Sequence, residues 1–160
     1  MAITIIPGNS NFHPNKRINT ELKIFEKVGK NIIVGSKKIN DKSYIAVLVK
    51  AMALSSRKFK VSNTDILFLL PSEYPRIPPI GCYLNYPWAT VGQGDHHFTR
   101  QSYYGAPFLS DEGWYWYCVG LGGGFSHERW LNTWRPSNNP EKGHNLATLL
   151  VTARHAINTD

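Results

Sequence analysis

Leu69-Leu70-Pro71-Ser72-Glu73-Tyr74-Pro75-Arg76-Ile77-Pro78-Pro79 decides where the sheet of this chain must stop. Residues 64–70 form an apolar run that reads as a strand. The prolines at 71, 75, 78 and 79 then remove N–H groups and fix φ, which forbids regular pairing for most of the next ten residues. A proline-stiffened turn is expected there, with a further strand over residues 80–84.

Working towards the N-terminus, Ile45, Val47 and Val49 alternate with Ala46, Leu48 and Lys50 in residues 43–54. A second apolar segment at residues 31–34 lies beyond the turn-like pair Asn40-Asp41. Both read as antiparallel strands. Before them Leu22, Phe25 and Val28 recur at helical spacing, with Thr20 as the expected N-cap.

Working towards the C-terminus, residues 85–110 carry Pro87, Gly92, Gly94, Gly105 and Pro107 with little periodicity, which predicts a long irregular connection. Residues 114–119 are strand-like and strongly aromatic, and residues 120–124 are a glycine-rich run. Leu146, Leu149, Leu150, Ala153 and Ile157 mark one face of a closing helix. The expected fold class is α+β: a four-strand antiparallel meander between N-terminal and C-terminal helices, with a long active-region insert, forming a single domain over residues 1–160.

Composition agrees with a packed globule. The 160 residues are 42% hydrophobic, 12% aromatic and 18% charged. No apolar run approaches the roughly 20 residues of a membrane-spanning helix. The first residues lack the basic start and apolar core of a signal peptide, so the expected location is cytoplasmic. In a reducing compartment Cys82 and Cys118 are expected as thiols. Net charge is +7, and residues 1–80 hold 13 Lys/Arg against 5 Asp/Glu. Those lysines are scattered among strands and turns and read as solvated faces, so neither nucleic acid nor a membrane is an expected partner. A basic nucleic-acid-binding domain would instead show affinity falling steeply with salt.

With the elements in place, Tyr74-Pro75, two residues, then Pro78-Pro79 after the third strand resembles the strand-end signature of ubiquitin-conjugating enzymes. Cys118, then Trp134-Arg135-Pro136 and a helix from about His144, follow in the order of that family. The resemblance covers roughly residues 32–157. The family's His-Pro-Asn element is missing ahead of the cysteine; His13-Pro14-Asn15 lies before the meander and is coincidental. That departure, the insert over residues 88–111 and Ser126-His127-Glu128-Arg129 resemble the divergent bacterial branch. The resemblance implies the family's fold, with Cys118 as the nucleophile that carries a modifier as a thioester. It also implies a ubiquitin-like modifier, an adenylating activating enzyme, a target lysine and a deconjugating metallopeptidase as partners, often in antiphage defence.

Transfer of the modifier to an amine needs a group that polarises or deprotonates. His127, nine residues after Cys118, is the first candidate, and His97, beside His96, the second. Backbone N–H groups of the glycine run are a further candidate oxyanion site. Cys82, three residues beyond Pro79 in an apolar strand, reads as a small core hydrophobe. No cofactor is expected. The glycine run lacks dinucleotide spacing, and there is no Walker motif, zinc-ligand spacing or serine-hydrolase elbow. An alternative of a different class stays open: a catalytically inert module with the same fold that binds a modifier or an activating enzyme.

Overall fold

The computed structural model describes residues 3–5, 15–27, 31–86, 98–118 and 131–159. Among the described residues seven strands form one sheet: β1 (Ile3–Ile5), β2 (Ile32–Ile39), β3 (Lys42–Ala53), β4 (Asn63–Leu70), β5 (Cys82–Leu84), β6 (Phe98–Thr99) and β7 (Tyr115–Tyr117). Their spatial order is β1-β2-β3-β4-β5-β7-β6. The expected four-strand meander is present as β2 to β5, but it is only part of the sheet. β7 pairs antiparallel with β5 and is itself flanked by β6, while β1 joins β2 in parallel. Each neighbouring pair from β2 to β6 in that order is therefore antiparallel, and β1 is parallel at the edge. The short strand β6 falls within the stretch expected to be irregular, where two residues carry too little periodicity to register.

Asn40 and Asp41 both adopt positive φ, 47° and 64°, and join β2 to β3 as a two-residue hairpin turn. That turn matches the right-handed twist of the strands it connects. The N-terminal helix α1 (Lys16–Glu26) starts before the expected Thr20, because Asn15 is the cap and its side chain accepts from the Ile18 N–H at 2.9 Å. The closing helix α2 (Leu146–Asn158) is capped by Asn145, which exchanges hydrogen bonds with Thr148 as a capping box.

Both helices cover one face of the sheet. Ile18, Leu22 and Phe25 of α1 and Leu146, Leu149, Leu150, Ala153 and Ile157 of α2 pack on Val47, Val49, Ile66, Phe68 and Leu84. Each such large side chain, fully buried, contributes about 1.5–3 kcal/mol. The opposite face holds a smaller cluster of Ala46, Leu67, Leu69, Tyr83 and Trp116, covered by the segment that carries Ala106 and Leu109 rather than by an α-helix. No helix among the described residues is long and apolar enough to cross a membrane.

Candidate functional site

Strand alternation sorts the aromatic segment as its sequence predicts. Tyr115 and Tyr117 face the helices, while Trp114, Trp116 and Cys118 belong to the opposite cluster. Cys118 follows the last residue of β7, and two anchors fix that strand. The Trp116 indole donates to the Ile80 carbonyl at 2.8 Å, and the Tyr117 hydroxyl donates to the Ala156 carbonyl of α2 at 3.1 Å.

Gly81 completes this wall. Its φ is +67°, and a Cβ there would lie 2.4 Å from the Tyr117 carbonyl oxygen and 2.7 Å from the Trp116 ring nitrogen. Only glycine accepts both the backbone angle and the approach. Because Cys82 pairs with Tyr117, the same register extended by one residue sets Gly81 opposite Cys118. A side chain at 81 would therefore displace the peptide that carries the thiol.

The two cysteines are not bonded to each other and differ in environment. Cys82 is fully buried in the helix-side core, as the sequence suggested, and burial pushes its thiol far above the usual range. Cys118 is half-buried and its thiol is raised by the same cause. A raised pKa keeps a larger share of the thiol protonated at neutral pH than in a free cysteine, and the thiolate is the nucleophile. A thiol of high pKa is also a poor leaving group, so an acyl group carried on it is released reluctantly. His127, His97 and the glycine run at 120–124 lie outside the described residues, as does the rest of the segment between Cys118 and Leu131.

The Trp134-Arg135-Pro136 segment and the proline turn do meet. The Trp134 indole donates to the Pro75 carbonyl at 2.6 Å, beside the Tyr74 ring, and the Tyr74–Pro75 peptide is cis. His144 stacks on Trp134 with ring centroids 5.3 Å apart, and its Nδ1 accepts from the Arg135 N–H at 2.6 Å. Burial first, and the Arg135 charge second, lower the His144 pKa.

Beneath these rings lies a residue that the sequence reading missed. Glu21, on the inner face of α1, is 1% exposed. Its carboxylate accepts from the Tyr74 hydroxyl and, at 3.0 Å, from the Leu146 N–H in the first turn of α2. It also pairs with Arg17 at 2.7 Å, and Arg17 reaches the Ser137 carbonyl. One carboxylate thus ties α1 to the proline turn, to the segment after Trp134 and to α2. Burial and Glu21 together drive the Tyr74 phenol strongly upward, so it remains a donor. A signal was present, since Glu21 sits between Thr20 and Leu22 on the helix face that Leu22 and Phe25 define.

Among the described residues no group of three His, Cys, Asp or Glu is placed to hold a metal ion. Compared with protein-family models, with curated proteins and with solved structures, the chain finds no match.

Proposed function

We propose that the chain is a conjugating enzyme in which Cys118 receives the C-terminus of a ubiquitin-like modifier from an adenylating activating enzyme and passes it to a target amine, a lysine. In the first step the Cys118 sulfur attacks the thioester carbonyl on the activating enzyme. A new carbon–sulfur bond forms, the old one breaks, and the proton from Cys118 ends on the departing thiol. In the second step the amine displaces Cys118 to form an amide, and the thiol is regenerated. His127 and His97 remain the candidates for handling the amine proton. A deconjugating metallopeptidase and a role in antiphage defence belong to the same reading, which is carried from the sequence resemblance.

The observation that carries it is the placement of Cys118. One of the two thiols is sealed in the core, while the other stands half-exposed at the end of a strand held from both faces. A carrier thiol must be reachable by a large donor yet fixed enough to aim the acyl group.

Mixing the protein with a ubiquitin-like modifier and its activating enzyme, plus ATP, is expected to give an adduct on a non-reducing gel that thiol reagents release. The adduct is lost in Cys118→Ala and retained in Cys82→Ala. No adduct from an activating enzyme that demonstrably charges itself would sink the reading for that pair. The raised Cys118 pKa supports the inert module, which predicts modifier or activating-enzyme binding unchanged by Cys118→Ala and no adduct.

A further inference from the structure

The segment that leads from Trp134 to α2 doubles back on itself, and a single imidazole closes it. The Arg135 N–H donates to His144 Nδ1 at 2.6 Å, and the His144 N–H returns a bond to the Arg135 carbonyl at 2.9 Å. One step further in, Pro136 and Gly143 form an antiparallel bridge. Gly143 has a φ of +67°, and a Cβ there would stand 2.7 Å from the Arg135 carbonyl oxygen, so the two arms approach as only glycine allows. At the tip, the Asn139 side-chain oxygen accepts from the Glu141 N–H and its carbonyl from the Lys142 N–H, both at 3.0 Å.

The bond at the base dictates the state of the ring. A backbone N–H can only donate, so Nδ1 holds the Arg135 bond with a lone pair, and the single proton of the neutral ring sits on Nε2. A second proton has only Nδ1 to go to. It would turn the acceptor into a donor facing a donor. Pro136, the next residue on that arm, has no N–H with which to take over the lost bond. The other side of the ring is equally fixed. His144 stacks on Trp134, which is 3% exposed and whose indole is held by the Pro75 carbonyl at 2.6 Å. Trp134 cannot follow a moving imidazole, so the arm that carries His144 has to give.

The charged and titratable groups around this ring come from three places. Within the hairpin, the Arg135 guanidinium donates to the Trp134 carbonyl at 2.9 Å, and Glu141 and Lys142 are exposed near the tip. Past Trp134 stand the Tyr74 phenol of the proline turn and the Arg17–Glu21 pair of α1. No carboxylate among the described residues bonds to the imidazole, so none rewards its protonation. Burial, and after it the Arg135 charge, lowers its pKa and keeps the hairpin shut at neutral pH.

We propose that this hairpin is an acid-operated catch: protonation of His144 opens residues 135–144 while the sheet and both helices stay folded. The hairpin carries the Ser137 carbonyl, which accepts from Arg17, and the Pro140 carbonyl, which accepts from the Asn145 side chain at 2.9 Å. Opening detaches both. The acid form then differs from the neutral form at the surface beside α1 and at the start of α2, and nowhere in the core. No part of the conjugation reading enters this inference.

The test follows the full chain, labelled with nitrogen-15, by NMR between pH 7.5 and 4.5. At pH 7.5 the His144 ring is expected as the Nε2–H tautomer. As the ring takes up its proton, protection of the Arg135 amide, corrected for the intrinsic pH dependence of exchange, should fall about tenfold, the worth of one hydrogen bond. The Val47 and Phe68 amides in the sheet should keep their protection. His144→Asn puts a carbonyl oxygen where Nδ1 stands and cannot be protonated in this range, so Arg135 should stay protected throughout. His155→Asn, on an exposed position of α2, should behave as the parent. A proton on Nδ1 at pH 7.5, a ring still neutral at pH 4.5, or Arg135 protection unchanged by protonation would each overturn the proposal. So would loss of sheet protection in step with Arg135, which would make the opening global, or the same pH dependence in His144→Asn.

Discussion

Replacing Glu21 by alanine removes a single carboxylate and strips three groups, Tyr74, Leu146 and Arg17, of a shared partner. The Tyr74 hydroxyl and the Leu146 N–H are left buried without an acceptor, and each such group costs about 1–3 kcal/mol. Arg17 loses its only ion pair among the described residues while its side chain is 16% exposed, and breaking a buried pair from one side costs about 3–5 kcal/mol. These costs overlap, because all of them are the loss of one group, and the net expected loss is about 3–5 kcal/mol. Against a total stability of about 5–15 kcal/mol, that is about a fifth or more of what holds the chain folded. For a chain of this size each kcal/mol lowers the melting temperature by about 2–4 °C, so Glu21→Ala should melt roughly 6–20 °C below the parent. Urea unfolding followed by tryptophan fluorescence measures it directly, since Trp134 lies on the Tyr74 ring above Glu21. Glu21→Gln retains an acceptor oxygen and should lose about half as much. Lys23→Ala, on the exposed side of the same helix, should stay within about 0.5 kcal/mol of the parent. A Glu21→Ala protein within about 1 kcal/mol of the parent would show that water or neighbouring groups replace the carboxylate, and the hub would then not be what joins these segments.

His144 is held below its ordinary pKa in the folded chain, so unfolded chains take up its proton first as the solution is acidified. Its contribution to stability is complete above about pH 6.5 and is lost progressively below that value, down to the folded pKa. Urea midpoints should therefore fall on acidification, with a shallower fall in His144→Asn, whose side-chain oxygen keeps an acceptor for the Arg135 N–H. Gly81→Ala should destabilise by about 2–4 kcal/mol from its positive φ and its collision with the Tyr117 carbonyl. It should also change the alkylation rate of Cys118 more than that of any distant group, as read by mass spectrometry. In the parent, iodoacetamide should label Cys118 slowly at neutral pH and faster as pH rises, and Cys82 only when the chain unfolds. Labelling of Cys82 at the same rate as Cys118 under native conditions would contradict its burial.

The fold was legible where periodicity is strong and where turn chemistry is explicit. Asn40-Asp41 announces a hairpin because both residues tolerate positive φ, and Pro71 announces the end of β4 because it cannot donate. The face of α2 is written in Leu146, Leu149, Leu150, Ala153 and Ile157, all buried. The start of α1 was misplaced because Thr20 and Asn15 are both able caps, and only the packing of Ile18 on the core selects the earlier one. β1 and β6 escaped notice for another reason: at three and two residues they hold their place by pairing with strands already formed, and no local pattern of their own specifies them.

Burial explains why half of the candidate site could be read and half could not. Apolar side chains betray their destination, so Cys82 beside Tyr83 and Leu84 was recognisably a core thiol. A buried carboxylate does not, because a glutamate in a helix looks like a solvated one until its partners are known, and those of Glu21 lie 53 and 125 residues away at Tyr74 and Leu146. The same long-range dependence governs Cys118. Its chemistry is set less by Tyr117 beside it than by Ile80 and Gly81 across the sheet and Ala156 on α2, which fix the strand that carries it. A thiol positioned by contacts this far apart in sequence should respond to substitutions that never touch it. Gly81→Ala, acting through the Tyr117 carbonyl, is the most direct of them.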